Sequence, residues 1–292
     1  MLLTILCISY TPPSQAIENS APQANLRTGF FLNSFPDLSL EDLKVALSYW
    51  TEEVGKQAGI TTDIHIYTSL DQMRTDFYTG KINLIVASPL IIVKEFDKKQ
   101  LADGFKITWS DKAEDNLLVV TNIGSKLNHF KAVKNTKLSL LKNDTITKLY
   151  ADVLSLQYFG KPSKLIFNQI EYLKKSSQLI YKLFFNNTDV IFVSELTYEL
   201  AVELNPQIKD KTQIISILPG IPRALGFFHI REDLKFRESV LQVVEKLDTH
   251  TRGRHLLSLF KADKTVRSHI SDLINTEQLQ QKHLKLLNPT RP

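Results

Sequence analysis

The stretch from Tyr67 to Phe96, YTSLDQMRTDFYTGKINLIVASPLIIVKEF, decides the fold class. Ser69 is placed to cap a helix, and a glycine follows where that helix would end. The apolar run Ile82–Ala87 lacks the alternation of a half-exposed strand, which indicates a strand covered on both faces of a parallel sheet. Ser88 and Pro89 then suit the start of the next helix. This strand, helix, strand, helix rhythm predicts a doubly wound α/β unit.

The same rhythm returns over residues 137–204, where apolar strands alternate with helices. We therefore predict a second α/β lobe over residues 121–212, inserted into a first lobe formed by residues 26–120 and 213–262. Residues 263–292 are predicted to form a helical tail that wraps over one lobe, because apolar residues recur there at helical spacing. Since the chain would cross twice between the lobes, the two connections would form a hinge.

The composition is that of an ordinary soluble globular chain, with 292 residues of which 43% are hydrophobic and 23% are charged. The excess of 36 basic over 31 acidic residues gives a net charge of +5, a mild bias toward anionic partners. No block rich in Lys or Arg has the pattern of a surface that follows a phosphate backbone. A nucleic-acid partner is therefore not expected.

The N-terminus, MLLTILCISY, is an apolar run without a charged side chain. The following Ser14-Gln15-Ala16 has the small-x-small pattern of a cleavage site, so residues 1–16 are predicted to be a signal peptide. A buried N-terminal strand is the alternative interpretation. Cleavage after Ala16 would remove Cys7, the only cysteine, and with it any disulfide or thiol site. No later run reaches about 18 apolar residues, so no membrane span is predicted.

The sequence lacks the signatures of catalysis. It contains no GxSxG, HExxH, Walker or GxGxxG pattern, each of which marks a defined kind of reaction site. Its 7 histidines are scattered, and no pair has compact metal-ligand spacing on one helix or strand. We therefore expect a protein that is not an enzyme and that uses neither a metal nor another cofactor.

Several segments resemble one family of binding proteins. Residues 77–93, FYTGKINLIVASPLIIV, have its order of helix, glycine, short strand, small residue with proline, and helix. Residues 186–189, NNTD, are similar to its Gly-x-Ala-Asp turn before a buried strand. Residues 204–206 and 251–254 also match sequence patterns that are common in the family. Over roughly residues 26–262 the chain thus resembles the phosphate/phosphonate-type periplasmic solute-binding proteins.

The resemblance implies the two-lobed α/β fold of type 2 periplasmic binding proteins, with a hinge and a central ligand cleft. It implies an extracytoplasmic solute-binding protein that is periplasmic, monomeric and a partner of an ABC permease. A ligand-sensing module of the same fold, which signals to a membrane sensor instead of serving transport, is the alternative. Neighbouring permease and ATPase genes would favour transport, whereas a kinase or cyclase gene would favour sensing.

Small hydroxyl side chains lie where the predicted strands end and helices begin, at the edge where open α/β sheets bind ligands. Helix N-termini at this edge present free N–H groups and a partial positive charge. Ser and Thr are also the usual helix caps, so only their convergence on one cleft indicates binding. An aromatic residue at a strand end can form the floor of a pocket. The predicted ligand-binding residues are Ser34, Tyr67, Ser69, Ser88, Thr145, Thr147 and Ser176.

The expected ligand is a small molecule and an anion similar to phosphonate or phosphate. Two places depart from the family pattern. Its Ser-Thr-Ser-Gly turn is replaced by residues 144–148, DTITK, and its Ser-His pair by residues 175–176, KS. The first replacement removes a glycine that would let the backbone approach an oxyanion. Because Asp144 would also repel a dianion, a neutral or cationic ligand paired with Asp144 is the alternative.

Overall fold

The computed structural model describes residues 25–35 and 37–288. The predicted signal peptide lies outside these residues. The strands are β1 Asn25–Phe31, β2 Thr61–Tyr67, β3 Leu84–Ala87, β4 Leu101–Ala102, β5 Gly104–Thr108, β6 Glu114–Asn122, β7 Lys137–Leu141, β8 Gln169–Leu173, β9 Val190–Ser194, β10 Thr212–Pro222, β11 Leu225–His229 and β12 Lys264–Ser268. The helices are α1 Leu40–Ala58, α2 Leu70–Tyr78, α3 Pro89–Glu95, α4 Thr145–Phe159, α5 Ser176–Phe184, α6 Glu195–Leu204, α7 Gln207–Lys211, α8 Leu234–Val244, α9 Thr251–Leu259 and α10 Ile274–Leu287.

These strands form two separate sheets, with the orders β12-β5-β11-β3-β1-β2, where β4 also pairs with β11, and β10-β6-β9-β7-β8. The central pairs are parallel, as β1 is with β2 and β3, and β7 is with β8 and β9. We call the first sheet with α1–α3, α8 and α9 lobe one, and the second sheet with α4–α7 lobe two. The predicted two-lobed α/β fold is confirmed. In the described part of the chain, no helix has both the length and the apolar character needed to cross a bilayer.

Apolar side chains cover both faces of each sheet, which explains why the central strands are continuous apolar runs. Every residue of β3 is buried. On one face of lobe one, Trp50 of α1 packs against Phe30 and Phe105, with ring centroids 5.8 Å apart in both pairs. On the other face, Phe77 of α2 and Ile92 of α3 are fully buried. This packing fixes the carboxyl ends of β1 and β3 at the edge that faces lobe two.

The two connections between the lobes differ from the predicted boundaries. The sequence predicts that residues 114–120 and 213–222 belong to lobe one. In the structure they belong to β6 and β10, which pair antiparallel with each other in the sheet of lobe two. The chain therefore crosses between the lobes at residues 109–113 and 223–224. The reason is strand pairing: β6 pairs with β9 and β10 pairs with β6, so both strands lie in the lobe two sheet whatever their place in the sequence.

The C-terminal segment also differs from its prediction as a helical tail over one lobe. Residues 264–268 form β12, which extends the lobe one sheet by pairing antiparallel with β5. Among residues 263–288, α10 is the single α-helix, and it packs against α3 of lobe one and α4 of lobe two. Lys98 pairs with Glu277 at 2.5 Å, and His283 Nε2 lies 2.7 Å from Asp152 Oδ2. The apolar spacing could not reveal β12, because a five-residue strand fits the same pattern.

His229, at the end of β11, is 3% exposed, and its ring packs on Phe77 with centroids 4.8 Å apart. The Arg231 N–H donates to His229 Nδ1 at 3.1 Å. Burial lowers the pKa of His229, and the charge of Arg231 lowers it further. The unfolded chain therefore takes up a proton near the ordinary histidine pKa of about 6.5, whereas the folded protein does so only at lower pH. Stability supplied by neutral His229 is present above about pH 6.5 and is lost as the pH falls.

We therefore expect His229→Gln to flatten the pH dependence of unfolding. Between pH 7.5 and 5.5, the urea midpoint of the unchanged protein should fall more steeply than that of the variant. Urea denaturation followed by circular dichroism at several pH values measures this difference. His255→Gln, on the exposed surface of α9, should keep the steeper fall. Equal slopes for His229→Gln and the unchanged protein would show that His229 does not couple folding to protons.

Candidate functional site

A cavity of about 210 Å³ lies between the two lobes and is lined by residues of both. From lobe one come the segments that follow β1 and β3, and from lobe two those that follow β7 and β9. These are the carboxyl ends of parallel strands, where open α/β sheets bind ligands. A water needs only about 10–15 Å³ of such space, so the cavity can hold a small organic solute. We call this cavity the cleft.

A second chamber of about 310 Å³ adjoins the cleft and shares Asn33, Asn143 and Thr145 with it. Lys94 of α3 and Lys142 of lobe two also line this chamber. Within residues 25–35 and 37–288, neither lysine has a carboxylate within 4.0 Å. Glu95 lines the chamber as well, but its carboxylate pairs with Arg74, so among the described residues the two lysines are the charged groups of this lining without an ion pair.

Four of the predicted ligand-binding residues line the cleft: Ser34, Ser88, Thr145 and Ser176. Ser34 and Ser88 follow different strands of lobe one, and the Ser88 N–H donates to Ser34 Oγ at 2.8 Å. Ser88 precedes α3, yet its side chain makes no capping hydrogen bond. Thr145 is the first residue of α4 and is exposed. The two lobes thus present hydroxyl groups to one space, while their role in binding stays a prediction.

The other three predicted residues lie outside the cleft lining. Tyr67 is 7% exposed because it points into lobe one, where its hydroxyl donates to Asp76 Oδ2 at 2.7 Å. Ser69 acts as the cap of α2 and accepts the Gln72 N–H. Thr147 is fully buried, and its hydroxyl donates to the Asp144 carbonyl within the first turn of α4. In each case, the polar group of the side chain forms a hydrogen bond within its own helix or lobe.

Apolar side chains form most of the remaining cleft wall. The sequence did not assign these residues to the site, because in an apolar pattern a pocket wall looks the same as a core. They include Phe35, Leu38, Ile107, Leu117, Leu141, Ile146, Leu179, Phe192, Ile221, Leu259 and Phe260. A ligand in the cleft would therefore place apolar atoms against both lobes.

Two carboxylates of the cleft bind helix N-termini of lobe two. Asp144 accepts the Thr147 N–H at 3.1 Å and so caps α4. Asp115 accepts the Leu196 N–H at 3.2 Å at the start of α6. Burial raises the pKa of both groups above the ordinary aspartate value, although these hydrogen bonds oppose the shift. Both carboxylates thus accept a backbone N–H at the start of a lobe two helix.

Arg223 lies in the second connection between the lobes and lines the cleft. Its guanidinium donates to the carbonyls of Phe260 at 2.9 Å and Lys261 at 2.8 Å. In the described part of the chain, no carboxylate lies within 4.0 Å of it. Burial lowers its pKa, while the more distant Asp115 opposes the shift. Arg223 thus brings a positive charge without a direct ion pair.

Asp37, in the loop after β1, faces the start of α5 across the cleft. Its carboxylate accepts the Ser176 N–H at 2.8 Å and the Ser176 hydroxyl at 2.7 Å. Lys261 Nζ donates to the same carboxylate at 3.2 Å. Burial alone would raise the pKa of Asp37, but the bonds from Ser176 and the Lys261 charge hold it below the ordinary value.

The sequence reasoning missed Asp37, Asp115, Arg223 and Lys261 as cleft residues. No local signal identifies them, since the partners of Asp37 lie 139 and 224 residues away. Over residues 25–35 and 37–288, no group of three or more His, Cys, Asp or Glu side chains could hold a metal ion.

Comparison with known proteins places this cleft in context. A family model described as ABC transporter, phosphonate, periplasmic substrate-binding protein matches residues 34–273. The chain belongs to this family. The predicted resemblance is thus confirmed, and a solute-binding role for an ABC importer follows from it. The family consists of substrate-binding proteins rather than enzymes.

Solved structures show the same fold at low sequence identity. PhnD1 from Prochlorococcus marinus, in complex with methylphosphonate, is 17% identical with a TM-score of 0.65, over 89% of this chain and 98% of that chain. A binding protein component of an ABC phosphonate transporter from Pseudomonas aeruginosa is 12% identical with a TM-score of 0.63, over 90% and 88%. The aliphatic sulphonate binding protein SsuA from Escherichia coli is 12% identical with a TM-score of 0.56, over 91% and 94%. Comparison with curated protein sequences finds no match.

The position of Tyr67 gives a test of the corrected site. Tyr67→Phe removes a hydrogen bond to the buried Asp76 carboxylate, which also accepts from Lys81 and Gln72. We expect the variant to lose about 1.5–3 kcal/mol of unfolding free energy, the usual contribution of a hydrogen bond to a charged group. Its affinity for any solute of the cleft should stay unchanged. Urea denaturation and calorimetric titration measure the two quantities. Weaker binding at full stability would return Tyr67 to the site.

Proposed function

We propose that this protein binds a small, singly charged organic anion in the cleft and delivers it to an ABC permease. The mature, monomeric protein would work in the periplasm after export by its first 16 residues. Membership of the phosphonate-binding substrate-binding family supports the transport role. The charges and the hydrogen-bond donors of the cleft support the class of ligand.

The observation that carries the proposal is a set of unused donors from both lobes. Ser88 and Asn33 lie on the lobe one side of the cleft, and Asn143 and Thr145 lie on the lobe two side. Among the described residues, the side chains of these four make no hydrogen bond. Hydroxyl and amide groups donate well to anionic oxygens, and hydrogen bonds to a charged acceptor are stronger than neutral ones. An oxyanion between the lobes would satisfy them together.

The charges of the cleft limit the charge of the ligand. Its lining contains three acids, Asp37, Asp115 and Asp144, against two bases, Arg223 and Lys261. A dianion would meet this small acidic excess, whereas a monoanion needs only the neutral donors and the nearby Arg223. The apolar wall then covers an organic substituent. A singly charged phosphonate, sulfonate or carboxylate fits these conditions.

Two alanine variants test the donor set. Ser88→Ala and Thr145→Ala should each weaken binding about tenfold or more, because each removes a hydrogen bond to a charged group. Ser88→Ala should keep full stability, since its hydroxyl caps no helix. The measurement is calorimetric titration with methylphosphonate, methanesulfonate and acetate, after a thermal-shift screen.

Ser69→Ala is the matched control, because Ser69 is a helix cap outside the cleft. It should lose about 1 kcal/mol of stability through its missing cap and keep its affinity. Unchanged affinity in both Ser88→Ala and Thr145→Ala would refute the proposed site.

A change at Asp144 separates an anionic from a cationic ligand. Asp144→Asn removes a negative charge, while the amide oxygen can still accept the Thr147 N–H and cap α4. We expect anion affinity to rise several-fold, since one charge at 4 Å in a watery site contributes about 1 kcal/mol. Titration of the same anions measures the effect. A cationic solute titrated in parallel should lose affinity in this variant, and binding of such a cation in place of the anions would contradict the proposed class of ligand.

A further inference from the structure

The contact between Asp37 and Ser176 joins the two lobes directly. Asp37 belongs to lobe one, and Ser176 is the first residue of α5 in lobe two. Besides the two hydrogen bonds from Ser176, Lys175 Nζ donates to the Asp37 backbone carbonyl at 2.8 Å. Ser176 is buried and the Asp37 side chain is 27% exposed, so the contact is partly shielded from water. All three hydrogen bonds require the lobes to be close together.

Lobe one holds Asp37 in place for this contact. Lys261 Nζ lies 3.2 Å from the same carboxylate oxygen that accepts the Ser176 hydroxyl. The carbonyl of Lys261 in turn accepts from Arg223, which lies in the connection between the lobes. A continuous set of polar contacts therefore runs from the connection to the tip of the cleft. Because Lys261 and Asp37 both belong to lobe one, their contact does not require closure and would orient Asp37 toward α5 beforehand, which reduces the entropy lost on closing.

The contact also changes the role predicted for Ser176. Its backbone N–H and its hydroxyl are both donated to Asp37, so neither is left for a solute in this closed arrangement. Yet the cleft remains open beside them, and both residues are part of its lining. The contact and a bound solute can therefore exist at the same time.

We propose that Asp37 and Ser176 form a clasp that holds the lobes closed, whether or not a solute lies in the cleft. A contact made only in the closed state shifts the hinge equilibrium toward closure. It also raises the apparent affinity for any solute that binds the closed form, because a larger fraction of the protein is already competent. This inference concerns the lobes themselves and does not depend on which solute binds.

The test measures closure in the full chain without any solute. Donor and acceptor dyes are attached at Lys44→Cys on lobe one and Lys164→Cys on lobe two, both exposed positions, with Cys7 changed to serine. Single-molecule energy transfer then gives the ratio of closed to open protein. We expect Asp37→Ala to lower this ratio about tenfold or more, because it removes hydrogen bonds to a charged group. Ser176→Ala, from the opposite lobe, should act in the same direction.

A double variant makes the test specific. If the two side chains act on each other, Asp37→Ala with Ser176→Ala should open the lobes less than the product of the single effects. Asp71→Ala is the control, since Asp71 pairs with Arg74 on its own helix and its side chain is 86% exposed. It should keep the original ratio. Circular dichroism verifies that each variant is folded.

Two outcomes would overturn the clasp. One is an unchanged ratio of closed to open protein in both folded single variants. The other is a double variant in which the closed-to-open ratio falls by the full product of the two single effects. Because no solute is present, these results stand apart from the solute titrations. The energy-transfer test can contradict the clasp while the titrations support solute binding. It can also support the clasp while the titrations contradict solute binding.

Discussion

The antiparallel pairing of β6 with β10 is the interaction on which the two-lobed structure depends. β6 brings the chain into lobe two and β10 takes it out, with a register that runs from Thr212 opposite Asn122 to Pro222 opposite Glu114. Both connections to lobe one therefore leave lobe two side by side. Two adjacent connections allow one lobe to turn against the other while each core stays packed. The cleft lies between the lobes for the same reason.

The cleft is also shaped by the helix N-termini of lobe two. Asp144 caps α4, Asp115 binds the start of α6, and Asp37 reaches across to the start of α5. A helix N-terminus attracts anions through its free N–H groups and partial positive charge. Here the carboxylates of the chain already occupy these positions. The proposed recognition of an anion would thus rest on neutral hydroxyl and amide groups rather than on uncovered helix N-termini.

The site could be predicted only in part. Ser34, Ser88, Thr145 and Ser176 reach the cleft because each lies at a strand end, and strand ends are visible as the place where an apolar run stops. Tyr67 and Thr147 have similar positions in the sequence, but their side chains turn into their own lobe or helix. The direction in which such a side chain points depends on the neighbouring strands and helices. The charged partners of the cleft, such as Arg223, carry no local signal because their contacts are distant in the chain.

The sequence by itself determined the elements and the fold class. Helix caps such as Ser69 and Asp144, glycine stops and apolar runs act within a few residues, so their consequences are readable in order along the chain. Only the tertiary structure decided that β6 and β10 pair, that residues 264–268 add a strand to lobe one, and that Asp37 meets Ser176. These features depend on hydrogen bonds between segments far apart in sequence. Their energy is realised only once both lobes are packed and placed against each other.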